Sequence, residues 1–177
     1  MAFQVDLKSL IDKAVHLLES NGVFFEHGLS DEEIERTEKT FGFKFPPDLR
    51  PFLQNALPAD IKSPWGIGAF PNWRSGDTVE IQRRIDWPFE GIAFDIENNG
   101  FYLPAEPLLA GNPVFSVYQT DIIHYGCDLW DYFVNEFAPQ EERWARYKGV
   151  SPSEYNELHR PIRFWSQFTH LAGETLQ

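Results

Sequence analysis

The stretch Gly111–Phe137, GNPVFSVYQTDIIHYGCDLWDYFVNEF, decides the fold. Val114 to Tyr118 is aromatic and β-branched, the composition that a half-buried pleated surface prefers. Gln119-Thr120-Asp121 is short and polar and can turn the chain, and Ile122 to Tyr125 is apolar again. Gly126 ends the strand pattern. Leu129, Tyr132, Phe133 and Phe137 then recur at helical spacing. A strand pair that feeds directly into an amphipathic helix must bury one face of each, so this stretch is expected in the middle of the core.

Upstream, the first helix is expected over Val5 to Ser20, where Leu7, Leu10, Ile11, Ala14, Val15 and Leu18 form one stripe. Asn21-Gly22 stops it, and Val23 to Glu26 reads as a short strand or a packed linker. The second helix has the clearest start. Ser30 can cap, and Glu33 three residues on completes a capping box. Asp31, Glu32 and Glu33 place negative charge where the helix dipole favours it, and Gly42 follows the last residue, Phe41. Pro46-Pro47 is expected to open a third helix with Leu49, Phe52, Leu53 and Ala56 inward, ended by Pro58. Ile61 to Phe70 reads as loop. Asp77 to Ile85 reads as a short helix, with a strand as the competing assignment. Ile92 to Glu97 alternates as a strand does, and Asn98-Asn99-Gly100 signals a hairpin that returns through Phe101 to Leu103.

Downstream, Phe137 to Val150 reads as a polar connector. Ser151-Pro152-Ser153-Glu154 carries a second capping box and starts a last helix, with Tyr155, Leu158, Ile162, Trp165 and Phe168 expected on its inner face. Pro161 should kink or break that helix.

A chain of 177 residues is most simply one domain, long enough to bury a core without staples. Its net charge is −12 and its pI about 4.7. A free nucleic-acid binder normally carries a basic patch, so direct DNA or RNA binding is not expected. An anionic membrane surface would repel the chain, whereas a basic protein partner would be steered in. The plainer reading of the acidity is solubility. One cysteine excludes an internal disulfide framework. Neither a signal peptide nor an apolar run of transmembrane length is evident, so a cytoplasmic location is expected.

Three blocks resemble bacterial members of the SUKH superfamily, within its Knr-like, cell-wall-assembly-regulator-like family. The first is LSDEEIERTEKTFGFKFPPDLRPFLQ, Leu29 to Gln54. The second is GIAFDIENNGFY, Gly91 to Tyr102. The third is the Gly111–Phe137 stretch, most tellingly SVYQTDII. The order and spacing carry the resemblance, because helix-Gly-Pro-helix alone is common. Relatives that share these strings usually have a longer insert between the second and third blocks, where only Leu103 to Ala110 stands here. The resemblance implies a single α+β domain with a mixed or mostly antiparallel sheet and helices packed on one side. Residues 29–137 would be its core and 138–177 an added C-terminal helical extension. It implies a non-enzymatic protein-binding role. That role is either an immunity protein that binds and occludes a toxin, or a regulatory scaffold in cell-wall or signalling control. No catalytic motif, cofactor or metal comes with it.

The residues themselves offer few chemical sites. Cys127 lies near a helix N-terminus, where a thiolate is stabilised, and His124 is three residues before it. A small apolar core residue is the competing reading, because free cysteine is among the most buried residue types. Asp95, Glu97 and Asp121 are too few oxygen ligands for a divalent cation and read as a solvated sheet face. The five histidines show no zinc spacing, and His159 and His170 are expected on the surface. The candidate partner-binding set is therefore aromatic and acidic: Trp65, Trp73, Asp77, Trp87, Asp95, Glu97, Tyr118 and Asp121. An aromatic centre with an acidic rim suits a basic toxin domain. The competing reading places most of those rings in the core.

Overall fold

The computed structural model describes residues 6–59, 70–74, 78–93, 100–118 and 121–163, with 165–167 and 169. It is α+β. α1 (Leu7–Ser20) leads to β1 (Phe24–His27), α2 (Asp31–Phe41), α3 (Leu49–Asn55) and β2 (Ala56–Ala59). α4 (Thr78–Ala93), β3 (Gly100–Tyr102), β4 (Val114–Tyr118) and β5 (Asp121–Gly126) follow, and then α5 (Leu129–Phe137), α6 (Gln140–Arg146) and α7 (Pro152–Glu157). All strand pairs are antiparallel: β1 with β2, and β3-β4-β5 in that order.

The start and stop signals of α2 work as local chemistry dictates. The Ser30 side chain accepts from the Glu33 N–H, and the Glu33 carboxylate accepts from the Ser30 N–H. Gly42 ends the helix at φ 72°, a left-handed conformation that a side chain would strain. α3 starts later than expected, at Leu49, because Asp48 and not the proline pair caps it. Pro58 does not end that helix in a loop. The chain passes straight into β2, with Pro58 opposite Phe25. A two-strand ribbon tolerates the proline because each of its strands is an edge. Gly28, at the corner between β1 and α2, lies so close to α3 that a Cβ there would stand 1.8 Å from the Gln54 carbonyl oxygen. This close approach lets the Leu29 N–H reach the Leu53 carbonyl at 2.9 Å.

The main core gathers Ile11, Ala14 and Leu18 of α1, Phe52 and Leu53 of α3, and Leu129 and Phe133 of α5, with Val23, Leu29, Ile34, Phe45 and Leu57. The organising stretch is thus central: α5 packs on α1 while β4 and β5 run before it. A second cluster lies on the three-stranded sheet, where Phe115, Val117 and Ile122 meet Ile162, with Tyr102 and Trp165 against them. Phe101 and Tyr125 alternate to the opposite face, where their rings lie 4.5 Å apart and Phe101 meets Tyr132 of α5 at 5.3 Å. α5 covers one face of the sheet and the C-terminal segment covers the other.

Four further expectations change. Ile92 and Ala93 close α4 instead of opening a strand. Ile81, Ile85, Phe89 and Ile92 continue at helical spacing, and that period prevails. The rest of the expected strand and the Asn98-Asn99 turn lie outside the described residues. The polar connector after Phe137 contains α6. α7 stops at Glu157, before Pro161, so helical spacing no longer applies and Leu158 is exposed. His159 is buried at 6% exposure instead of lying on the surface, its ring stacked 4.2 Å from His124. No described helix is long and apolar enough to cross a membrane.

Candidate functional site

Trp65, Asp77, Asp95 and Glu97 lie outside the described residues, and Trp87 is described only as a position within α4. Tyr118 and Asp121 face each other as the last pair of β4 and β5, with Asp121 exposed. Trp73 is half-buried. Its ring lies 6.2, 6.0 and 5.2 Å from those of Phe41, Phe43 and Phe45, so its aromatic surface serves the main core. The neighbouring Arg74 fastens this segment to the corner between β1 and α2. It bonds Glu33 and Glu26 at 2.7 Å each and the carbonyls of His27 and Gly28 at 2.9 and 3.0 Å. Of the expected set, the structure pairs Tyr118 with Asp121 across β4 and β5 and packs half-buried Trp73 against the main core.

Two features that the sequence did not reveal stand out. The first is the loop between β3 and β4. Leu108 and Leu109 are 44% and 53% exposed at its tip, beside exposed Glu106. The loop beneath them is braced from three directions. Asn112 is fully buried, and its Nδ2 donates to the Pro104 and Pro107 carbonyls at 2.9 and 2.8 Å. Its Oδ1 accepts from Arg160 at 2.8 Å. The Gly111 N–H donates to Asp48 Oδ2 at 2.9 Å, while Oδ1 of the same carboxylate accepts from the Leu49 N–H at the start of α3. Asp48 therefore couples the loop to the main core.

The second is a groove of about 610 Å³ between β5 and the α6–α7 pair, walled by Tyr125, Trp144, Tyr147 and Tyr155. Among the described residues, Arg143 is the one lining side chain of permanent charge. Below the groove lies Asp131, with no exposed surface. Its Oδ2 accepts from the Cys127 N–H at 2.9 Å and from the Tyr147 hydroxyl, and Arg146 stands 3.1 Å from its Oδ1. The arrangement anchors α6 and its following turn to the first turn of α5.

Burial, more than any neighbouring charge, opposes ionisation of the groups around Asp131. Burial, followed by the Asp131 and Asp128 carboxylates, pushes the Cys127 thiol up to about 12. Burial also pushes Tyr155 up to about 12, with Asp131 adding to it. Tyr125 rises to about 12 through burial and its hydrogen bond to Glu136. Tyr147 rises well above the ordinary phenol range, through burial and then its bond to Asp131. The thiolate expected near the start of α5 is not stabilised there, because burial and then the adjacent carboxylates outweigh the helix terminus. Among the described residues no group of three or more His, Cys, Asp or Glu side chains is placed to hold a metal.

Comparison with protein-family models, with curated proteins and with solved structures yields no match.

Proposed function

We propose that this chain is a non-enzymatic protein-binding domain, a bacterial immunity protein that neutralises a toxin by binding and covering it. The observation that carries the binding role is the braced loop with Leu108 and Leu109 at its tip. Apolar side chains held in water on a rigid support lose little freedom on docking, so their burial contributes directly to affinity. The net charge of −12 supports a basic partner, because complementary fields speed encounter and reject wrong partners. The three blocks that resemble the SUKH superfamily support the immunity role.

The test compares the protein with a Leu108→Ser/Leu109→Ser double variant as bait against candidate toxins. A single basic toxin should be retained at low salt, released at moderate salt and not retained by the double variant. Co-expression should rescue cells from it. Retention of envelope or signalling proteins instead supports a regulatory scaffold. Neither retention nor rescue with any candidate defeats the immunity reading.

A further inference from the structure

We propose that the groove between β5 and α6–α7 binds a small monocarboxylate carried on an apolar body. This inference is independent of the toxin-binding reading, and its failure leaves that reading untouched. The volume of about 610 Å³ falls within the roughly 300–1,000 Å³ typical of small-molecule sites. Its walls are aromatic, and Trp144 is 70% exposed along one of them. A wall of that kind loses water-exposed apolar surface when an apolar ligand settles on it.

The charge is what selects the ligand. Arg50, Arg74, Arg84 and Arg146 each stand within ion-pair distance of a carboxylate. Arg143 has no carboxylate in such reach among the described residues. Its Nη1 donates to the Asn135 carbonyl at 2.9 Å, and its Nε is shielded from water without a hydrogen-bond partner. A half-buried guanidinium with no carboxylate beside it recognises an anion, and a carboxylate fits its planar fork best. A single cation in a chain of net charge −12 favours a monoanion over a phosphate dianion, because the surrounding field opposes each added negative charge. The nearby carboxylates do not compete for Arg143: Glu136 accepts from the Tyr125 hydroxyl, and Asp131 is held by Tyr147, Cys127 and Arg146.

The test uses the full chain and two isosteric probes, 3-phenylpropionate and neutral 3-phenylpropionamide. Binding is followed by calorimetry and by the fluorescence of Trp144, with a Trp144→Phe variant to assign the signal. The carboxylate should bind at least about tenfold tighter than the amide. Arg143→Gln should remove that preference, and Arg143→Lys should keep part of it. A free-acid Gly-Phe dipeptide that binds tighter than 3-phenylpropionate, with its amidated form inert, supports the site and identifies a chain end as the source of the carboxylate. Equal binding of acid and amide, no binding of either, or an unchanged preference in Arg143→Gln overturns the proposal. Arg143→Lys keeps it testable if the glutamine variant fails to fold.

Discussion

Arg160 donates from Nη1 to Asn112 Oδ1 across 2.8 Å and so ties the segment after α7 to the loop between β3 and β4. The same amide gives both of its hydrogens to the Pro104 and Pro107 carbonyls. Removing it leaves the Pro104 carbonyl and the Arg160 guanidinium without this partner, while the Pro107 carbonyl keeps the Leu109 N–H. Asn112→Ala should therefore destabilise the protein by about 2–4 kcal/mol, and Arg160→Ala by about 1 kcal/mol. Urea unfolding with an unchanged slope measures both. A loss below about 0.5 kcal/mol for Asn112→Ala would show that the loop is not braced.

Leu108 and Leu109 are both exposed, and neither belongs to the buried core clusters. Replacing both with serine should shift stability by less than about 0.5 kcal/mol per site, as surface substitutions do. The same unfolding experiment checks this. Any loss of partner binding in that variant then belongs to the interface and not to the fold.

Acid should weaken the corner between β1 and α2. The hydrogen bond from Arg74, and then the Ser30 N–H, hold the Glu33 carboxyl down at about 2, against 4.5 for an ordinary glutamate. Glu38 is lowered as well. Burial alone would raise it, but hydrogen bonds from Lys44 and from the Phe45 N–H outweigh that. A depressed carboxylate stabilises the fold fully above its unfolded value, and this contribution is lost as pH falls through the folded one. The urea midpoint should be level from about pH 7 to 5 and fall between about pH 4.5 and 2. Glu33→Gln should lower it at neutral pH and flatten the acid limb. An acid limb as steep as that of the wild type would remove Glu33 from the account.

Cys127 should be inert in the folded protein. A thiol pushed from 9.0 to about 12 has its thiolate population cut by about a thousandfold at pH 8. Alkylation by iodoacetamide should be slower by a comparable factor in the native protein than in 6 M guanidinium. Equal rates would show that burial and the Asp131 and Asp128 carboxylates do not govern the sulfur.

Tyr147→Phe tests the anchor of α6. It removes the hydroxyl that bonds to fully buried Asp131 and should destabilise the protein by about 1–3 kcal/mol. Amide exchange should accelerate first in α6 (Gln140–Arg146) and the turn after it. Exchange that accelerates uniformly along the chain would mean that Asp131 holds the whole core and not this helix alone.

The elements legible from residue order are those whose chemistry is complete within a few positions. Ser30 with Glu33, and Ser151 with Glu154, form their capping boxes as read. Gly42 takes the left-handed conformation expected after α2. The β4–β5–α5 succession holds because the strand-forming runs Val114–Tyr118 and Ile122–Tyr125 and the helical spacing from Leu129 to Phe137 are each complete within one element. Leu158 and His159 were misplaced because a helical period was carried past Glu157 toward Pro161. Ile92 and Ala93 belong to α4 because the helical spacing that runs from Ile81 prevails over a two-residue alternation that starts at its end.

The sequence by itself determined the α+β class, the capped helices and the central place of the Gly111–Phe137 stretch, since each follows from contacts within one or two turns of chain. Only the tertiary structure decided which aromatic rings meet water and which side chains gather around the groove. Trp73 turns to Phe41, Phe43 and Phe45 from more than 25 positions away. Asn112 finds Arg160 across 48 positions, and Asp48 reaches Gly111 across 63. Hydrogen bonds and packing over such separations depend on how whole elements dock, and no local pattern of residues records that.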